Sequence, residues 1–74
     1  MTYTRHYNGY AITVTSLQEA SGTVSWYGEV IADDHIVYNV TIPEADSALE
    51  AVSLVQIRYE ARKDMIQYQI NSNK

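Results

Sequence analysis

Cysteine is absent from this 74-residue chain, and so is phenylalanine. The first absence removes disulfides, thiolate metal sites and cysteine nucleophiles together. Glycine occurs three times, too seldom for a loop that cradles phosphate, and G-x-x-x-x-G-K, G-x-G-x-x-G and H-E-x-x-H are all missing. Proline occurs once, at position 43. No apolar run approaches the ~20 residues that span a bilayer. The opening MTYTRHYNGY lacks the basic and apolar regions of a signal peptide. Positive charge is scarce as well: five Lys and Arg against nine Asp and Glu leave a net charge of −4. Phosphate-backbone binding rests on Lys and Arg, so this balance argues against a nucleic-acid partner. The expectation is a soluble, cytoplasmic protein without membrane contact, metal or cofactor.

Catalytic constellations are equally hard to find. Asp33, Asp34 and His35 sit together, but neighbours in a turn diverge in direction, whereas a ligand set must converge. The other histidine, His6, lies near the N-terminus. Ser and Thr are plentiful, with no nucleophile-elbow motif around any of them. Asn39-Val40-Thr41 matches a glycosylation sequon, which carries no meaning without secretion. These residues predict a protein that is not an enzyme.

What the chain does have is tyrosine, seven of them beside a single Trp. Strands favour Tyr, and Tyr also suits interfaces because it joins a polar tip to an apolar body. Before Pro43 the sequence alternates as strands do. Tyr10, Ile12 and Val14 share one face, and so do Val24, Trp26, Gly28 and Val30. Ile36, Tyr38, Val40 and Ile42 form a third such row, with His35, Val37, Asn39 and Thr41 behind it. Gly22 and the Ala32-Asp33-Asp34 stretch supply the turns, while Gly28 among bulky neighbours marks a bulge or a close approach of the helix backbone. Asn8-Gly9 is a type I′ hairpin signal and would set Tyr3, Arg5 and Tyr7 on an extra edge strand. The strands thus lie within residues 2–42, three or four of them in an antiparallel meander with one apolar face.

After Pro43 the period changes to that of a helix, from about 46 to 70. Ser47 and Glu50 fit a capping box, with Asp46 as the alternative cap. At ~100° per residue, Ala45, Ala48, Leu49, Val52, Val55 and Tyr59 gather into one stripe, which Ile66 and Ile70 continue after a break at Lys63. This stripe covers the sheet, giving a single α+β domain over 1–74 with one long C-terminal helix packed on one face. Such a helix is ~36 Å long, against ~30 Å for strands of this length, so it overhangs. Leu54, Ile57, Ala61, Met65 and Tyr68 form a second apolar stripe on nearly the opposite side.

The second stripe is where a partner is expected. A domain of this size buries only ~60% of the surface its unfolded chain exposes, and small chains commonly add a partner subunit. One reading pairs the stripe with its twin in an antiparallel homodimer. Another docks a different protein there, and a third treats these residues as ordinary surface. Arg58, Arg62 and Lys63 beside Glu60 and Asp64 could set the register of a partner. The open sheet face offers a separate option, with Tyr27, Tyr3 and Tyr7 as stacking platforms for nucleic acid or a small ligand.

The order β-β-β-α, with Tyr10–Val14, Trp26–Val30 and the helix opening Leu49-Glu50-Ala51, resembles the small HicB-like antitoxin domains with their partial double-stranded-RNA-binding-type fold. The likeness spans roughly residues 10–61. The family's proline-glycine-cysteine turn after the second strand is missing here, as is its glycine before the helix, so no functional residue carries over. The resemblance implies a non-catalytic protein that works by covering a partner such as a toxin. A phage protein that blocks a host enzyme would look similar in sequence.

Overall fold

A computed structural model describes residues 1–72, and side chains as far as Met65. Four strands run in sequence order across one antiparallel sheet: β1 (Thr2–Tyr7), β2 (Tyr10–Gln18), β3 (Val24–Ala32) and β4 (His35–Ile42). One helix follows, α1 (Ala48–Ser72). The turns are as tight as their residues allow. Gly9 and Gly22 take φ of 94° and 88°, a region open to glycine, and Asp33 and Asp34 share the left-handed region at 52° and 65°. The edge strand anticipated from Asn8-Gly9 is present, with Tyr7 paired to Tyr10 around that turn.

The core lies between the sheet and α1. Ile12, Val14, Trp26, Val30 and Ile42 supply the sheet side, and Ala45, Ala51, Val52, Val55 and Tyr59 the helix side. Two residues depart from the sequence pattern. Leu49, expected against the sheet, is 61% exposed, and Ala51 is buried in its place. The helix is rolled so that the Ala48–Ala51–Val55 line faces the strands, and a leucine ~100° round from Ala48 falls outside it. Ile36, expected in the core row of β4, is 56% exposed while Val37 packs against the core. The cause is a bulge: Val30 pairs with Tyr38 but Ile31 with Ile36, so Val37 is the extra residue. A bulge inserts one residue without a partner, which reverses the facing of every residue beyond it.

The start of α1 is closed by its own side chains. The Glu50 N–H donates to Ser47 Oγ at 3.1 Å, and the Asp46 N–H donates to Glu50 Oε1 at 3.2 Å. The return half of the box therefore reaches one residue further back than Ser47, satisfying a free donor all the same.

Gly28 sets the distance between the layers. A Cβ there would run into Val55 Cγ2, so the glycine is the hollow in which a helix side chain sits. Overpacking of this kind costs about 1–3 kcal/mol. Gly28→Ala is therefore expected to lower the unfolding free energy by that amount, seen as a lower urea midpoint with an unchanged m-value. Adding Val55→Ala should offset much of the loss, since it removes the clashing methyls; equilibrium denaturation of the three variants checks both.

Candidate functional site

Helix α1 carries the candidate surface, and its environment changes along its length. Through its first three turns the buried positions recur at 51, 52, 55 and 59. From Glu60 to Met65 every residue is exposed. The helix is also longer than the strands it covers, since 25 helical residues extend ~37 Å and nine strand residues, the longest strands here, about 30 Å. The outer stripe is placed accordingly. Leu54 is half-buried against the core edge, whereas Ile57 and Met65 are 63% and 66% exposed, with Ala61 exposed between them. The fifth residue, Tyr68, lies outside the described side chains.

The two flanks of this stripe differ in charge. On the side over β4, Arg58 forms an ion pair with Glu44, and Arg62 Nη1 donates to the Tyr38 hydroxyl at 3.1 Å. On the side over β2, Glu60 Oε1 accepts the Tyr10 hydroxyl at 2.7 Å. Asp64, one turn on, continues the Glu60 flank at helical spacing. Lys63 lies further round and meets Glu60 at 2.9 Å. Among the described residues neither Arg62 nor Asp64 sits in an ion pair.

Between helix and sheet at the same end is a cluster of tyrosines not anticipated from the sequence. Tyr7 stacks on Tyr10 with ring centroids 5.0 Å apart, Tyr59 meets Tyr10 edge-on at 4.9 Å, and Tyr38 lies 6.2 Å from Tyr59. Arg5 and Arg62 lie over the rings of Tyr7 and Tyr38, at 5.5 Å and 6.0 Å. These are cation–π distances. The sequence pattern put Tyr10 and Tyr38 on the covered face of the sheet and Tyr59 on the helix stripe above it, and the Asn8-Gly9 turn pairs Tyr7 with Tyr10. Tyr38 lies opposite Val30, on the face that alternation with Val40 and Ile42 gave it.

This cluster also separates the three tyrosines expected on the open sheet face. Tyr3 pairs with Val14 and Tyr7 with Tyr10, so both point to the helix side and pack against the core. Tyr27 pairs with Thr15 and Thr41 on the other side, among Thr13, Glu29 and Asn39. The three do not form one platform. Tyr27 is the single aromatic residue among these partners.

Among the described residues no three His, Cys, Asp or Glu side chains group as metal ligands. Asp33, Asp34 and His35 are exposed around the β3–β4 turn. No helix of the described residues is long and apolar enough to cross a membrane. No family model, no curated protein and no solved structure matches this chain.

Burial, with the hydrogen bond to Glu60 adding to it, pushes the Tyr10 hydroxyl up to about 12. The same bond, with Lys63 beside it, holds the Glu60 carboxyl below its ordinary value. An unfolded tyrosine releases its proton near 10. Between pH 10 and about 12 the folded chain therefore holds a proton that the unfolded chain has lost, and stability falls as pH rises. Tyr10→Phe should flatten that alkaline slope in denaturation curves. The Tyr7 hydroxyl is buried without a hydrogen-bond partner among the described residues. Tyr7→Phe is expected to leave stability unchanged or raise it by up to about 1 kcal/mol.

Proposed function

We propose that this chain is a small, non-enzymatic protein-interaction module of antitoxin or inhibitor type, which works by covering a partner protein and forms a homodimer through α1. The observation that carries this reading is a helix that continues past its own sheet while Ile57 and Met65 stay more than half exposed. An isolated helix of a dozen residues is marginal in water. A second protein surface along the outer stripe would supply the packing that the sheet does not. Burying an Ile or Met side chain removes about 1.5–3 kcal/mol worth of exposed apolar surface, so two such residues and their symmetry mates are enough to matter for a chain of this size.

Covering a partner asks for an exposed apolar surface and no catalytic group, and the exposed Ile57 and Met65 supply such a surface. The HicB-like resemblance points the same way, and a blocking protein of the phage type would use the same physics. Nucleic acid is disfavoured by the net charge of −4.

Replacing Ile57 and Met65 together by Glu tests the reading. Both side chains point away from the core, so the variant should keep the parent circular dichroism and denaturation midpoint. Its mass by light scattering should drop from dimer to monomer across a dilution series. An unchanged assembly in that variant would show that the stripe is not the contact surface.

A further inference from the structure

We infer that two copies of this chain pair through the outer stripe of α1 with their helices parallel, the sheets facing outwards on either side. The inference rests on the homodimer reading above and adds its orientation. It follows from the charges beside the stripe and from the symmetry of a pair.

The stripe Ile57–Ala61–Met65 is bordered by Arg58 and Arg62 on one side and by Glu60 and Asp64 on the other. The contacts within the chain fix which side is which: Arg62 reaches over β4 to Tyr38, and Glu60 over β2 to Tyr10. In an antiparallel pair of identical helices, the twofold axis runs across both of them. Each flank is then carried to the same side of the seam and meets its own copy, whatever the register. Arginines would face arginines and carboxylates carboxylates. In a parallel pair the axis runs along the helices, and each flank meets the opposite one. The basic flank of each copy then lies against the acidic flank of its partner.

Charges bordering an apolar seam are what set partner choice and orientation in paired helices, because like charges held together there are costly. Part of the charge is already answered within the chain, by Glu44 at Arg58 and by Lys63 at Glu60. Arg62 and Asp64 sit in no ion pair among the described residues, and they border the seam on opposite sides. The two flanks therefore make the surface complementary to itself in one orientation only, which is the argument for a second copy as its occupant.

Packing agrees with this arrangement. Ile57, Ala61 and Met65 form an i, i+4 ridge with its smallest member in the middle, and ridges of this kind cross at roughly 50°. A crossing at Ala61 brings the helices closest where the side chain is least bulky. It also spreads the N-terminal ends apart. Glu50, which lies near the line of the stripe and is engaged by the Asp46 N–H, is thereby kept away from its symmetry mate.

The cysteine-free chain lends itself to disulfide mapping. Ala61→Cys should form a disulfide-linked dimer under mild oxidation in either orientation, which reports pairing itself. A mixture of Ile57→Cys and Met65→Cys chains reports direction, because parallel helices place each position near its own copy and antiparallel ones place 57 near 65. Peptide mass spectrometry should find the 57–57 and 65–65 links in about tenfold excess over 57–65, the ratio given by ~1.4 kcal/mol of preference. A predominance of 57–65 would overturn the parallel orientation and leave the homodimer standing. No linked dimer from Ala61→Cys, with a monomer mass for the unaltered chain by light scattering, would overturn the pairing.

Discussion

The contact between Gly28 and Val55 is the point on which this structure turns. One helix covers one apolar face of four strands, and among the described residues no other element lies beside it to share that task. The helix comes close enough because β3 presents a glycine at its centre, where any larger residue would meet a Val55 methyl. That close approach brings Ala51, Val52 and Tyr59 down onto Ile12, Val14 and Val30. It also fixes the roll of the helix, leaving Leu49 outside and turning the Ile57–Met65 line away from the sheet.

The roll has a consequence for charge. Once Val55 is seated in the glycine hollow, Arg58 and Arg62 lie over β4, while Glu60 lies over β2. The tyrosine cluster secures this setting at the far end of the sheet. Tyr10 and Tyr38 each hold one member of the two flanks by a hydrogen bond, and Tyr59 lies between them. A surface that composition alone would describe as mixed thereby becomes a neutral seam with a basic and an acidic border. Exposed charges contribute little to the stability of the monomer. Their arrangement instead carries the orientation that we propose for a second copy.

Much of the fold was legible in the sequence. Alternation within residues 10–42 and the Ser47–Glu50 box located three strands and a helix, and the Asn8-Gly9 signal offered the edge strand as a fourth. Failures came where one residue alters the phase. Val37, inserted without a partner, sends Ile36 to the open face, while Tyr38, Val40 and Ile42 keep the facing their alternation indicated. A bulge leaves no compositional mark in a run of β-branched residues, since Ile and Val suit either face. The sequence likewise placed Tyr3, Tyr7 and Tyr27 together as platforms, but strand pairing divides them between the two faces of the sheet.

The amino-acid sequence by itself determined the order of the elements, the single apolar face of the sheet and the existence of a second stripe on the helix. These are properties of local periodicity, which short-range geometry imposes on any chain with this pattern. Only the tertiary structure decided which way the helix rolls, which charges border its outer stripe and which tyrosines meet. Those depend on a methyl group entering a glycine hollow and on one unpaired residue in β4, contacts between positions far apart in the chain.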